Sequence, residues 1–399
     1  MKTSMGDRTL TIYCGLLLAL SAFSIDITLP FFDRIRDTLQ ASDEATHAIV
    51  TLYIFSIGIG QLIMGPISDR FGRRKAIAAG LSLYLTGAFI TIFATNIETL
   101  LAGRALQGLG GAAAPVTARA MIRDRFSGTD LARNMALASG IFAIGPIIAP
   151  LIGAALVAGG GNWRVIFVAM FILGMAMLIG LAFVPETLRE RRPNATSLGE
   201  ILRNTGTLFR NPQSRYFLLL CSWTMVAILT ILAGMPGVME KEFGITGTAF
   251  AILFSIHGLG IIAGQIANHW LIGKIGVLQT AIAAAFLITA VFAITTYAAH
   301  HDGLTAIRLA LLLVGFAVGY LIVFANSASL IMDPHPTIAG FTAAFFGSFT
   351  QIVASIITMG IMFTVGASVE QWSLALLFVC ATILIALIAW YINNRRSEI

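Results

Sequence analysis

Long apolar segments, separated by short polar ones, run through almost the whole chain. A helix needs about 20 predominantly apolar residues to cross a bilayer, and twelve segments approach or exceed that length. Within a few residues at each boundary, they lie at 10–32, 47–68, 76–95, 98–121, 134–157, 163–184, 213–236, 248–272, 277–298, 304–328, 338–363 and 371–393. The pattern predicts an all-α membrane protein with twelve transmembrane helices.

The longest polar stretch, residues 185–215, follows the sixth apolar segment and is rich in arginine. It leaves six predicted helices on either side. We therefore predict an N-terminal six-helix bundle (1–184), a cytoplasmic interdomain loop (185–212) and a C-terminal six-helix bundle (213–399).

The two predicted bundles are weakly related in sequence. A shift of 204 residues superposes Gly60 on Gly264, Gln61 on Gln265, Arg70 on Lys274, Gly72 on Gly276 and Arg104 on Arg308. A shift of 207 superposes Gly140 on Gly347 and Gly153 on Gly360. Nearly constant offsets along the six spans predict two pseudo-symmetric halves. The repeat is degenerate, because the loop acid Asp69 falls on Gly273.

Lysine and arginine are distributed unevenly among the loops. They concentrate near the termini and in alternate loops, at 70–75, 123–133 and 189–215. Because positive loops are retained in the cytoplasm, both termini are predicted to be cytoplasmic. This distribution accounts for the net charge of +6, so the charge does not indicate nucleic-acid binding.

The composition excludes a soluble globular protein, since 57% of the residues are hydrophobic, 11% are charged and the mean hydropathy is +0.88. No soluble domain is predicted, so any enzymatic chemistry would take place at membrane depth.

The cysteines Cys14, Cys221 and Cys380 all fall in apolar segments without disulfide or metal-ligand spacing. We expect them to be small buried hydrophobic residues.

The most informative motif lies between the second and third spans, where residues 60–75 read GQLIMGPISDRFGRRK. It resembles the loop between helices 2 and 3 of the major facilitator superfamily, and the matching residues are Gly65, Asp69, Arg70, Gly72, Arg73 and Arg74. The resemblance implies a conformational latch, with Asp69 and Arg73 joining the two halves on the cytoplasmic side. The alternative is that these cations only fix the topology of the loop.

Three further motifs resemble the same superfamily. Arg104 to Gly108, RALQG, is similar to its R-x-x-Q-G motif in helix 4. The fifth span is similar to the motif of proton-driven antiporters, through Gly140, Gly145, Pro146, Pro150 and Gly153. Asp26 to Pro30, DITLP, resembles the D-x-x-L-P motif of the Bcr/CflA drug exporters. The resemblance implies the major facilitator fold, a cavity between the halves and proton-coupled antiport.

Asp26 is the first candidate for the proton site. A carboxylate deep in a span is costly and usually marks an ion or substrate path, and a low dielectric favours its neutral form, so that it can exchange a proton. The alternative is an ordinary helix-end acid near the headgroups. No acid lies two turns earlier, at 15–19. A single acid favours neutral, zwitterionic or monocationic substrates over dications.

Arg104 lies at a depth similar to that of Asp26, and the resemblance assigns it a role in proton coupling. We expect it to face the bundle interior, because an arginine in lipid is costly. Arg104 would favour the charged form of Asp26 when the two residues are close and would no longer do so when they separate. This change would control when Asp26 releases its proton. The alternative is a packing residue bonded to backbone carbonyls, and the same question is open for Arg308.

Other polar and aromatic residues at membrane depth are candidates for the cavity lining or for helix-to-helix hydrogen bonds. The polar candidates are Tyr53, Gln107, His257, Asn326 and Gln351, with Gln61 and Tyr320 in the same class. His257 is a candidate proton relay, although a packing role explains it equally. Phe254, Phe345 and Phe346 are candidates for an apolar drug pocket.

These observations predict a proton-coupled secondary transporter that exports small, amphipathic or drug-like molecules by alternating access. Two alternatives remain open, a dedicated exporter of a metabolite such as a siderophore or an amino acid, and a proton-coupled importer. A receptor would need a signalling domain, and an enzyme would need clustered catalytic groups. The predicted protein is a monomer in the bacterial inner membrane, and its partners are the substrate, protons and the bilayer. It has no cofactor beyond the proton gradient, no metal and no nucleic acid.

Overall fold

The computed structural model describes residues 6–158, 161–188, 190–191, 196–301, 303–365 and 368–397, and the regular structure within them is helical. The first half contains α1 (Asp7–Asp26), α2 (Phe32–Leu39), α3 (Asp43–Phe71), α4 (Arg73–Ile92), α5 (Ile97–Gly111), α6 (Ala113–Arg125), α7 (Gly128–Val157) and α8 (Arg164–Gly180). The second half contains α10 (Pro212–Phe243), α11 (Gly247–Ile275), α12 (Val277–His300), α13 (Ala306–Met332), α14 (Ala339–Val365) and α15 (Val369–Ser397). Between them lies α9 (Leu198–Arg210).

The predicted spans are present, and two of them, the first and the fourth, are divided. In the described part of the chain, 11 helical segments are long and apolar enough to cross a membrane. The predicted span 98–121 is instead formed by α5 and α6, which meet at Ala112. Pro115 has no N–H to donate to the carbonyl of Gly111, four residues earlier, so the hydrogen-bond ladder is interrupted there. The all-α fold predicted from the apolar pattern is confirmed.

The loops that begin α4 and α12 have the same backbone geometry. Gly72 has φ +110° and ψ 153°, and Gly276 has φ +83° and ψ 168°. These left-handed values favour glycine, because an added Cβ would be strained there. The two glycines are separated by the 204-residue repeat offset, which links the sequence repeat to the pseudo-symmetric halves.

The halves pack along two helix pairs, α3 with α14 and α7 with α11. Glycines lie at both contacts. A Cβ added to Gly58 would come within 2.8 Å of Ile352 Cγ1, and one added to Gly258 would come within 2.4 Å of Ile147 Cγ1. Because real Cβ atoms do not approach this closely, glycine is required for the present separation of the halves.

The two ends of the bundle differ in how they are held. We call the end carrying Gly72 and its arginines the basic end, and the opposite end the far end. At the far end, Arg36 pairs with Glu240 and Lys241 pairs with Asp43, each between the two halves. The ion pairs described at the basic end stay within the first half.

The predicted interdomain loop 185–212 is described only in part, since residues 189 and 192–195 lie outside the described residues. Its helix α9 packs against α10 and α14. Phe209 of α9 contacts Phe345 and Phe349 of α14, with ring centroids 6.1 and 5.7 Å apart.

Candidate functional site

Asp26 lies where the first span breaks. Its helix, α1, ends at this residue, and a short 3-10 turn of Leu29–Phe31 precedes α2. Pro30 explains the break, because it has no N–H to bond the carbonyl of Asp26. Broken helices at membrane depth are frequent places for ligand and ion sites in transporters.

The carboxylate of Asp26 is buried, with 4% of the residue exposed. It makes no hydrogen bond or ion pair within the described residues. Leaving a charge in this position is costly, and the cost falls when the carboxylate binds a proton or a cation. The geometry therefore suits a group that exchanges a proton, and it differs from that of a solvated helix-end acid.

Arg104 is fully buried in α5 and held by groups of its own half. Its Nε donates to the carbonyl of Ile49 at 3.3 Å, and its Nη1 donates to Oε1 of Gln107 at 2.8 Å. The guanidinium carbon lies 4.0 Å from the ring centroid of Tyr53, and Nη2 is buried without a partner. Within the described residues, no ion pair joins Arg104 to Asp26.

Polar side chains nevertheless lie between the helix of Asp26 and Arg104. Ser24, two residues before Asp26, is hydrogen-bonded to the hydroxyl of Tyr84 at 2.7 Å. Tyr84 packs against α5 at Gly110, and Gln107 of the same helix bonds Arg104. The sequence reasoning missed Ser24 and Tyr84, although a tyrosine at membrane depth in the third span was an available signal.

The Gly/Pro motif of α7 packs against the first span near Asp26. A Cβ added to Gly153 would lie 2.8 Å from the carbonyl oxygen of Ile27, and one added to Gly145 would lie 3.6 Å from Ala22. A Cβ added to Gly140 would have no neighbouring atom within 4 Å. Gly153 therefore sets the distance between α7 and the broken helix, whereas Gly145 has room for a Cβ at ordinary van der Waals distance. The remaining motif residues, Pro146 and Pro150, are buried.

The basic loop forms a network within the first half. Arg73 pairs with Asp69 and with Asp124 of α6, where Nε lies 2.8 Å from Oδ2. Glu186 accepts hydrogen bonds from the backbone N–H groups of Arg73 and Arg74 at 3.0 and 3.2 Å. This carboxylate caps the start of α4, where anions are favoured.

The predicted latch residues are therefore only partly at the boundary between halves. The Asp69–Arg73 pair does not bridge the halves in this conformation, contrary to the geometry expected for a closed latch. Gly65 does reach the boundary, since a Cβ added there would lie 3.8 Å from Ala344 of α14. Arg70 instead donates to Thr196 at 2.6 Å. The sequence reasoning missed Asp124 and Glu186, which are acids of other loops.

The polar residues predicted to line a cavity fall into different environments. Gln351 is bonded to Gln61 across the α3–α14 contact at 3.4 Å, and Tyr53 and Gln107 belong to the Arg104 cluster. Asn326 is 2% exposed and its Nδ2 has no partner. The positions of Gln61 and Gln351 support a role in hydrogen bonding between helices. Asn326 remains a candidate for the lining of a cavity.

His257 is buried on α11, and neither ring nitrogen has a partner among the described residues. It stacks on Phe254, with centroids 5.4 Å apart, and Phe254 stacks on Phe250 at 5.6 Å. Phe250 lines a small cavity together with Pro30 of the broken first span. The His257 face of α11 is thus directed towards the break that carries Asp26.

Of the predicted aromatic residues, Phe346 joins a ladder in the second half. Its ring lies 5.4 Å from that of Phe324, which lies 5.8 Å from that of Tyr320. Phe345 contacts α9.

Arg308, at the start of α13, donates to the carbonyl of Gly303. In the described part of the chain, no group of three or more His, Cys, Asp or Glu is arranged to hold a metal.

Known proteins with similar sequences and structures share this architecture. Residues 14–359 match the family described as Major Facilitator Superfamily. An uncharacterized MFS-type transporter of Bacillus subtilis, YdgK, is 30% identical over 353 residues, which cover 86% of each chain. A bicyclomycin resistance protein homolog of Haemophilus influenzae is 26% identical over 399 residues, covering 96% of this chain and 95% of the relative. A D-xylose-proton symporter structure superposes with a TM-score of 0.76 at 15% identity, covering 95% and 96% of the two chains, which shows a shared fold alone.

Proposed function

Since this chain belongs to the Major Facilitator Superfamily and is therefore a membrane transporter rather than an enzyme, we propose that it exports small, amphipathic or drug-like molecules in exchange for protons. The bicyclomycin resistance homolog is a relative of nearly full length. Its name supports an exported, drug-like substrate. The observation that carries the proposal is the buried, unpartnered Asp26 at a break in the first span.

The protein lies in the bacterial inner membrane with its basic end, and both termini, in the cytoplasm. The arginines of the loop at Gly72 support this orientation. The ion pairs at the far end then close the outer side. One chain forms the transport unit, and no cofactor is needed besides the proton gradient.

The transport cycle uses Asp26 as the exchange group. In the outward-facing state, Asp26 takes up a proton from outside. In the inward-facing state, substrate from the cytoplasm or the inner leaflet enters between the halves, and the proton leaves towards the cytoplasm. The polar side chains of Ser24, Tyr84 and Gln107 couple the break to Arg104. Rocking of the halves along the α3–α14 and α7–α11 contacts then releases the substrate outside.

Proton movement in inverted membrane vesicles with an acidified interior tests the proposal. Phenicols and cationic dyes would be added to vesicles with the wild type, Asp26→Asn, and Glu98→Gln as a control at an exposed far-end acid. Substrate-driven proton release is expected in the wild type and the control, and not in Asp26→Asn. Release that persists in Asp26→Asn would move the proton site elsewhere, first to His257.

The same vesicles separate the alternatives. Proton release by several unrelated compounds supports a drug exporter, whereas release by one metabolite alone supports a dedicated exporter. Proton movement in the same direction as the substrate would identify an importer. No proton movement with any compound would contradict proton coupling altogether.

A further inference from the structure

Arg119 is a cation at membrane depth that has no partner among the described residues. It lies in α6, six residues before Arg125 at the basic end, which corresponds to about 9 Å along the helix axis. Within the described residues its guanidinium makes no hydrogen bond and no ion pair. Asp124, five residues later in the same helix, is engaged by Arg73.

The face of α6 that carries Arg119 points to the space between the halves. Val116, one turn earlier, lies 3.7 Å from a Cβ added to Gly65, at the contact with Ala344 of the other half. Arg123, one turn later, lies 3.4 Å from a Cβ added to Gly340 of α14. Residues three and four apart share a helix face, so Arg119 is on the side that meets α14.

The exposure of Arg119 agrees with this placement. The opposite face of α6 is buried in the first half, at Thr117, Ala118, Met121 and Ile122. Arg119 itself is exposed, in contrast to that face. Because an arginine on the lipid face would be costly, we assign its exposed surface to the space between the halves.

The second half contributes an aromatic wall at a similar depth. Phe324 lies eight residues before the end of α13, or about 12 Å, and Phe346 lies seven residues after the start of α14, or about 10 Å. Their rings, with that of Tyr320, form the ladder described above, and all three are only partly buried. An aromatic body can pack on such rings.

We propose that Arg119 binds an anionic group, such as a carboxylate, on an aromatic or amphipathic substrate whose apolar body contacts the Tyr320–Phe324–Phe346 ladder. The inference rests on the proposed transport function and narrows its substrate class. A guanidinium without a counter-ion gains a charge-assisted, two-pronged contact from a carboxylate. Anions and zwitterions with aromatic groups are therefore favoured over cations.

Binding to the purified full chain, in a neutral detergent without anionic lipid, tests the inference. The ligands are pairs of aromatic carboxylates and their carboxamides, beginning with N-acetylphenylalanine and N-acetylphenylalaninamide. The wild type should bind the carboxylates about tenfold more tightly or better, because hydrogen bonds to charged groups are the stronger ones. Arg119→Gln should remove this preference, and Arg119→Lys should retain part of it.

Arg123→Gln is the matched control, since it removes a cation from the same face one turn closer to the end. It should keep the wild-type preference, and thermal unfolding should show that each variant is folded. The inference is overturned if the wild type has no preference, if neither member of any pair binds, or if Arg119→Gln keeps the preference. It is also overturned if Arg119→Gln weakens only the binding of added phosphatidylglycerol, an anionic phospholipid, and not the binding of the aromatic carboxylates. The assay needs no proton gradient, so its result is independent of a failure of proton coupling.

Discussion

Arg36 and Glu240 form a two-pronged ion pair that joins the halves at the far end. Nη2 of Arg36 lies 2.6 Å from Oε1 of Glu240, and Nη1 lies 3.0 Å from Oε2. The residues are 204 positions apart, which is the offset that relates the two halves in sequence. Equivalent positions of the two halves therefore meet directly, and opposite charges at these positions hold this end closed.

We predict that Glu240→Gln shifts the population towards states open at the far end. The pair is only partly exposed, and loss of one charge should cost the closed end about 1–2 kcal/mol, which is about a five- to thirtyfold change in population. Hydrogen–deuterium exchange should then become faster in the far-end segments 36–47 and 233–246, and not in the basic loop 68–75.

A charge exchange checks this prediction. The double variant Arg36→Glu, Glu240→Arg should recover much of the wild-type exchange rate, while each single reversal should not. Equal exchange in the wild type and in Glu240→Gln would show that the pair does not control the closed state.

We predict that Gly140→Val has little effect on stability or transport, whereas Gly153→Val, in the same helix, is not tolerated. At Gly153, an added Cβ would clash with the carbonyl of Ile27, next to Asp26, and α7 could not keep its distance from α1. The measurements are thermal stability and transport, with Gly153→Val expected to lose most of both and Gly140→Val to remain near the wild type. Equal loss in both variants would point to a general requirement for glycine in α7 rather than to the contact.

We predict that Arg104→Met retains stability and loses proton coupling. Replacing a buried charged group by an apolar side chain of similar size is often neutral or stabilising, so the unfolding free energy should stay within about 1 kcal/mol of the wild type or rise. Arg104→Ala should cost more, about 2–5 kcal/mol, because it also leaves a cavity.

Coupling is measured in the same variants by substrate-driven proton release. If Arg104→Met transports and releases protons like the wild type, Arg104 is a packing residue. If it is stable and uncoupled, the bonds of its guanidinium to Gln107 and Ile49 serve the transport cycle.

Local signals in the sequence were sufficient for the spans and for the glycines at their ends. The apolar runs predicted the membrane-spanning helices, and the glycines at the equivalent positions 72 and 276 indicated the turns that precede α4 and α12. Both features depend mainly on residues that are close together in the sequence. The break at Asp26 was also readable in principle, since Pro30 follows four residues later, yet the sequence reasoning treated the first span as continuous.

Contacts between distant segments could not be read in the same way. Asp124 and Glu186 lie far along the chain from Arg73, and only the packing of four helices at the basic end brings them together. The separation of Arg104 from Asp26 likewise depends on how α5 faces α3, because similar depth along two helices does not determine which side chains meet. The exposure of Arg119 follows from the way the two halves face each other.

The burial of all three cysteines has a practical consequence. Cys14 and Cys221 are 0% exposed, as is Cys380, and none forms a disulfide. The natural chain should therefore react slowly with maleimide reagents while folded. A single cysteine introduced on an exposed surface, at each end of the bundle in turn, would carry a spin label or fluorophore selectively. Distances between the ends could then be followed through the cycle without first removing the native thiols.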